Sequence, residues 1–384
     1  MRSGMSEFGV PELTLQQKVF QINWLLVLLV TSIACIGFAM LYSAANGSWS
    51  PWAIRQASIF GGGVVLMLFI ALVDIRLWLR YAYVLYFLAL LALVAVELFG
   101  EERKGAQRWI SLWVLDLQPS EPMKIMLVLA LARYFHGISI EDIGRPTVLI
   151  VPLLLVAAPA LLILRQPDLG TTVMLIAGGG IMFYLAGVRI WKFLAVIASV
   201  LAAVPFLWSS LHDYQKQRVF TFLDPERDPL GAGYNIMQSK IAIGSGGFSG
   251  KGFLQGTQSH LNFLPEKQTD FIFTMLTEEF GLMGGGIVLA LYGAIMLYGL
   301  IIAMRARTQF SRLLAMGVVS TLALYVFVNV SMVLGLIPVV GAPLPLISFG
   351  GTAMLTVMIG FGWLMNVYIH RETRIGRRWD ESAP

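Results

Sequence analysis

Cysteine is almost missing from this chain. Cys35 is the single one in 384 residues, and it lies in a hydrophobic segment. That excludes a disulfide framework and a thiolate metal site. Charge is scarce too: Asp, Glu, Lys and Arg make up 13% of the residues, against about 25% in a soluble globular domain. Two nucleotide fingerprints are absent, the P-loop spacing and the strand-borne dinucleotide motif. No internal repeat supports the inverted-repeat plan of many transporters. What fills the chain instead is apolar: 57% hydrophobic residues and a mean hydropathy of +0.76. This composition describes an all-α polytopic membrane protein. The net charge of +5 reflects the loop bias described next, so no nucleic-acid partner is expected.

A span needs about 20 mostly apolar residues. Ten segments qualify or nearly so: 22–45, 54–73, 77–98, a short one at 121–136, 146–164, 169–188, 191–210, 271–303, 313–336 and 346–369. The first apolar run exceeds the ~7–15 residues of a signal-peptide core and reads as a membrane anchor. The run 271–303 is longer than a bilayer needs. It is expected to tilt, kink or project, with Gly281 and Gly284-Gly285-Gly286 as bend points. With the N-terminus inside, fifteen lysines and arginines from Arg2 to Arg378 fall on inner segments. Five fall on short outer ones: Arg55, Arg103, Lys104, Arg108 and Arg165. That bias places both termini in the cytoplasm. The expected organisation is a cytoplasmic tail 1–21, one transmembrane domain 22–370 and a cytoplasmic tail 371–384. An extracytoplasmic loop 211–270, too apolar for a disordered linker, separates spans seven and eight.

Polar residues concentrate in a few patches, all on the outer side of this topology. In Gln118-Pro119-Ser120-Glu121-Pro122-Met123-Lys124 the prolines suit a helix's first turn, and Ser120 could cap it. Glu121 and Lys124 are three apart and can pair, either as a structural ion pair or as the lining of an outward cavity. Arg108 and Trp109 read as interface residues or as a site for an anionic headgroup, since guanidinium binds phosphate bidentately. Asp168 either caps the following helix or faces the same cavity as Glu121. In the long loop, Lys240, Lys251 and the glycines from Gly244 to Gly256 are weak candidates for a phosphate site. Asp270 stands where the loop enters the next span, with Thr274 and Glu278 on roughly the same face. It reads as an N-cap or, partly desolvated, as a general base. Asn329 and the stretch Gly335 to Thr352, with three prolines and four glycines, form broken backbone that should pack near the other outer elements.

These patches in this order resemble the SEDS family (shape, elongation, division and sporulation) from about Ile22 to His370. The matching stretches are Gly105-Ala106-Gln107-Arg108-Trp109-Ile110, Gln118-Pro119-Ser120-Glu121 with Lys124, Gln166-Pro167-Asp168-Leu169-Gly170-Thr171, Phe263-Leu264-Pro265-Glu266 through Asp270-Phe271, and Pro343 to Gly351. The wording Phe222-Leu223-Asp224-Pro225 and Asp228 to Tyr234 is most similar to the elongation branch. Pro122 and Ser331 depart from the pattern.

The resemblance implies a peptidoglycan glycosyltransferase of the inner membrane that polymerises lipid II. It implies Asp270 as the essential acidic residue, Glu121 with Lys124 as a paired site, and Trp109 as cavity lining. Substrate-binding roles are then expected for Arg108, Asp168 and Lys240 as well. A divalent cation, magnesium or manganese, is an option for holding the pyrophosphate. The implied partners are a class B penicillin-binding protein, the elongation machinery and membrane lipids. The competing expectation is a transporter of the lipid-linked precursor; against it, the charges cluster outside and leave the midplane nearly uncharged.

Overall fold

The computed structural model describes residues 14–103, 106–112, 115–139, 141–210, 216, 220, 224, 232–261, 263–264, 266–373 and 375–376. The expectations for Arg218 and for the stretch Phe222 to Gly231, Asp224 excepted, lie outside the described residues. A short α1 (Leu15–Phe20) precedes α2 (Trp24–Ala44), α3 (Ala53–Leu72) and α4 (Ile75–Phe99). Then come α5 (Ser120–His136), α6 (Pro146–Arg165), α7 (Leu169–Ala186) and α8 (Ile190–Ser210). The loop contributes α9 (Ala232–Gly246) and α10 (Thr257–His260), and α11 (Ile272–Arg305), α12 (Gln309–Val333) and α13 (Gly351–Ile369) complete the chain. Eight of the described helices are long and apolar enough to cross a membrane. α5 and α8 coincide with the two remaining expected segments. The fold is a helical polytopic membrane fold.

Burial orders the helices. In α13, 72% of the apolar stretch is buried, against 28% in α4, so α13 is central and α4 peripheral. α13 lies along α3 through small residues. A Cβ on Gly362 would stand 2.9 Å from Ile70 Cβ, and one on Gly63 2.9 Å from Met358 Cγ. Close backbone approach at small residues is how helices associate in lipid, where apolar surface alone gives no preference for protein over tails. Asn366 of α13 donates to the carbonyls of Ile70 and Ala71, both at 3.0 Å, and to Val73 at 2.6 Å. One buried amide thereby satisfies the carbonyl end of α3.

Three features differ from the sequence expectation. Between α4 and α5 the chain forms a three-stranded antiparallel sheet, β1 (Glu101–Arg103), β2 (Ala106–Leu112) and β3 (Leu115–Leu117), in the order β1-β2-β3. β1 and β3, at three residues each, are too short for a period-2 signal, and the Ala106–Leu112 run does not alternate strictly between apolar and polar. Ser120 does not cap α5: Pro119 holds the cap position, and Ser120 is a buried first residue. Finally, of the expected bend points only Gly281 breaks α11, with φ 64° and ψ −162°, while Gly284 to Gly286 are regular helix.

The break is where the loop docks. The backbone N–H groups of Leu282 and Met283 donate to the carbonyls of Gly247 and Phe248, at 2.9 and 3.1 Å. In return Lys251 and Gly252 donate to the carbonyls of Glu278 and Glu279, at 3.1 and 3.0 Å. The peptide groups freed by the kink are thus re-satisfied by the loop, as a low-dielectric site demands. A side chain at Gly281 would collide with the backbone of Phe248 and Gly250.

Candidate functional site

The loop glycines serve this docking. A Cβ on Gly246 or Gly250 would strike the carbonyl of Thr277 or Glu279, so these positions seat the loop on α11. Lys251 is committed as well. Its Nζ donates to Glu278 Oε1 at 2.8 Å and to Thr257 Oγ1 at 2.7 Å. The fully buried Glu278 also accepts from the amides of Gln258 (2.9 Å) and Ser259 (3.2 Å), and from Ser259 Oγ (2.9 Å). The neighbouring Glu279 accepts from Ser43 of α2 and pairs with His260 Nε2 at 3.2 Å. The described part of the loop from Ala232 on is therefore folded against α11, as its apolar content suggested, and its glycines and Lys251 are committed to that docking rather than to a phosphate cradle.

Asp270 is partly buried and lies one residue ahead of the cap position of α11, which Phe271 occupies. The turn that carries it is pinned at three consecutive carbonyls. Phe349 N donates to Gln268 O at 2.9 Å, Ser348 Oγ to Thr269 O at 2.6 Å, and Asn329 Nδ2 to Asp270 O at 2.9 Å. The Gly335–Thr352 stretch thus supplies two of the three anchors. It is itself seated on α2 and α3: Gln56 of α3 donates to Ser348 O at 2.8 Å, and Gly37 of α2 leaves room only for the backbone of Leu346 and Ile347. A Cβ on Gly341 would stand 3.5 Å from Asp270 Oδ2. The carboxyl group lies beside a glycine that leaves space next to it.

Asp168 sits on the other side of the same stretch. Gly170 packs against Val340, where a Cβ would meet the Val340 carbonyl. Asp168 caps α7, accepting from Thr171 N at 3.1 Å and Thr171 Oγ1 at 2.9 Å. Arg108 donates to the carbonyls of Gln166 (3.1 Å) and Pro167 (2.7 Å), and its charge lies 3.6 Å from Asp168. Both residues hold the α6–α7 turn in place, and Arg108 retains partial exposure. Trp109, its neighbour on β2, is partly buried and pairs in register with Glu101. Lys240 is exposed on α9 and lies over Gly335, at the other end of the stretch that reaches Asp270.

The Glu121–Lys124 pair forms as expected, at 2.8 Å and deeply buried. Its third member was not foreseen. Tyr325 of α12 donates its hydroxyl to Glu121 Oε2, and Lys124 Nζ lies 4.4 Å from the centre of its ring. Every charge in this network thus meets an opposite charge, a hydroxyl or a π face, which is what a buried ion pair requires. Lys124 and Tyr325 also line a narrow crevice with Met174, Gly178 and Thr321. The structural reading of the pair is met; Glu121 does not line this crevice. Asn329 follows Tyr325 by four residues, so one face of α12 reaches both the ion pair and the Asp270 turn, about 6 Å apart along its axis. Sequence reasoning could not have assigned Tyr325; the only signal was a hydroxyl and an amide one turn apart in an apolar helix.

Lys267, three residues before Asp270, is buried and donates to Ser259 O at 2.8 Å. Burial holds its ammonium below the ordinary lysine value. Among the described residues no three His, Cys, Asp or Glu gather into a metal cage. Asp270 is a donor that fits a magnesium or manganese ion only together with phosphate oxygens of a substrate, the way magnesium is commonly held.

Comparison with known proteins gives a consistent answer. The FtsW/RodA/SpoVE model, described as a cell cycle protein, matches residues 19–373. Peptidoglycan glycosyltransferase MrdB of Escherichia coli (strain K12) is 46% identical over 350 residues, covering 90% of this chain and 93% of its own. Stage V sporulation protein E of Bacillus subtilis (strain 168) is 34% identical over 354 residues, covering 89% and 96%. Among solved structures, a chain of a peptidoglycan synthase complex that coordinates polymerization and crosslinking superimposes with a TM-score of 0.80. It is 33% identical and covers 92% of this chain and 99% of its own. Rod shape determining protein RodA of Thermus thermophilus aligns with a TM-score of 0.69 at 29% identity, covering 92% and 98%.

Proposed function

The chain belongs to the FtsW/RodA/SpoVE family, and from that membership we propose that it is a peptidoglycan glycosyltransferase that polymerises lipid II during cell elongation. The observation that carries the proposal is the 46% identity with MrdB across nine-tenths of the chain. We place all ten long helices across the inner membrane, both termini in the cytoplasm and the site outside. The lysine and arginine distribution supports that orientation.

The reaction asks little acid chemistry of the protein. The 4-hydroxyl of the acceptor GlcNAc attacks the anomeric carbon of the donor MurNAc. A carbon–oxygen bond forms there, the bond to undecaprenyl pyrophosphate breaks, and the pyrophosphate leaves with the electron pair. The hydroxyl proton goes to the Asp270 carboxylate, the general base. A leaving group that is already stable as an anion needs no protonation, only stabilisation of its charge. One carboxylate therefore suffices, where a glycosidase uses two. Arg108 and Lys240, which keep exposed surface, are the cations for substrate phosphates, and the buried Glu121–Lys124 pair, Asp168 and Trp109 shape the same region. A divalent ion, where bound, would add positive charge to the pyrophosphate. A crosslinking partner of the class B penicillin-binding type fits a family whose relative stands in a synthase complex.

The test is polymerisation of lipid II by the purified protein, with and without such a partner and with divalent metal, read as glycan ladders on a gel. Wild-type ladders that vanish in Asp270→Ala, with the variant still folded, support the reading. Ladders from Asp270→Ala remove the base role. Protein-dependent movement of lipid II across liposomes without any ladder supports transport instead.

A further inference from the structure

Asn329 ties the Asp270 turn to a helix in the interior, and nothing in the proposed chemistry uses it. It is fully buried in α12. Its Nδ2 donates to Asp270 O at 2.9 Å and to Ala342 O at 2.7 Å. Both partners are carbonyl oxygens, which fixes the orientation of the amide: only the NH2 end can face them. Its Oδ1 is buried without a hydrogen-bond partner. The position therefore uses the two donors of asparagine and leaves its acceptor idle.

Those donors join the two backbones that flank the carboxyl group. One is the peptide of Asp270 itself. The other is Ala342, next to Gly341, whose open side lies against Asp270 Oδ2. Thr269 and Gln268 are already held by Ser348 and Phe349, so the turn has anchors without Asn329. What Asn329 adds is the last carbonyl, two bonds from the carbon that bears the carboxymethyl group. We propose that Asn329 is a positioning residue for the general base: it sets where the Asp270 carboxylate stands relative to the acceptor hydroxyl. The proposal rests on the base reading of Asp270.

Three variants and the base variant, assayed together, test it. Asn329→Ala removes both donors. Misplacing a catalytic group by about 1 Å costs on the order of 100-fold, so kcat should fall about 10- to 100-fold. KM for lipid II should stay near wild type; the thermal midpoint should fall because two carbonyls lose a buried donor, but the loss of kcat should not scale with that fall across the variants. Asn329→Ser keeps one hydroxyl donor in a smaller side chain and should give an intermediate kcat. Asn329→Asp puts a second carboxylate beside Asp270. It also turns an acceptor oxygen toward the Asp270 and Ala342 carbonyls in place of a donor, so kcat should fall at least as far as in Asn329→Ala with KM unchanged, a split that a purely structural role would not give. Wild-type kcat in both Asn329→Ala and Asn329→Ser would overturn the proposal. So would losses of kcat that track the thermal midpoint across the variants, or a substantial rise in KM. Polymerisation by Asp270→Asn would overturn the base reading and this inference with it. An inactive Asp270→Asn beside an undisturbed Asn329→Ala would overturn this inference alone.

Discussion

Replacing Glu278 by glutamine changes one oxygen for an NH2, and the structure states which contact must fail. The carboxylate accepts on both oxygens. Oε1 takes Lys251, Thr257 Oγ1 and the Gln258 amide, while Oε2 takes the amide and hydroxyl of Ser259. A glutamine keeps one acceptor oxygen, and the cluster around Oε1, which includes the lysine, claims it. The NH2 then faces Ser259. The serine hydroxyl can rotate and accept, but the Ser259 N–H cannot. Stranding one buried donor costs about 1–3 kcal/mol. That corresponds to about a 5- to 150-fold loss of protection against hydrogen exchange. Exchange resolved to single amides should therefore show Ser259 losing protection by that factor in Glu278→Gln, while the Gln258 amide keeps most of its own. Equal protection at Ser259 in the two proteins would refute the reasoning. Equal loss at both amides would also refute it, by showing that the loop detaches as a whole.

Two further outcomes follow from groups with stated partners. Tyr325→Phe leaves Glu121 Oε2 buried without its hydroxyl, a hydrogen bond to charge worth about 1.5–3 kcal/mol, so the thermal midpoint in detergent should fall; an unchanged midpoint would remove Tyr325 from the ion-pair network. Because burial lowers the Lys267 pKa, the folded protein binds fewer protons than the unfolded chain between that lowered value and the ordinary lysine value. Stability should rise with pH across that alkaline window, and Lys267→Met should flatten the rise in a pH series of thermal midpoints.

The helices were legible because lipid imposes a length and a composition on every span, and the segment limits agree with α2 to α8 and α11 to α13 within a few residues. The Glu121–Lys124 pair and the Asp168 cap were legible for the same kind of reason, being set by spacing of three residues or fewer. The partners drawn from distant sequence were not. Tyr325 reaches Glu121 across 204 positions, and Asn329 reaches Asp270 across 59. Periodicity and propensity carry no information about such pairings. The glycine-rich run misled for a related reason. Glycine marks a place where something comes close, and here the something is the backbone of α11 rather than a phosphate.

The seating of the loop on the break at Gly281 constrains the order in which this protein can be made. Gly247, Lys251, Gln258 and Ser259 leave the ribosome before Glu278, Leu282 and Met283, the groups that hold them. During synthesis the loop emerges ahead of its anchor and cannot settle until the head of α11 arrives. The Asp270 turn waits longer still, because Asn329, Ser348 and Phe349 come last. The site is thus closed by the final helices of the chain, and a nascent protein halted after α11 would carry the acidic residue without the frame that holds it.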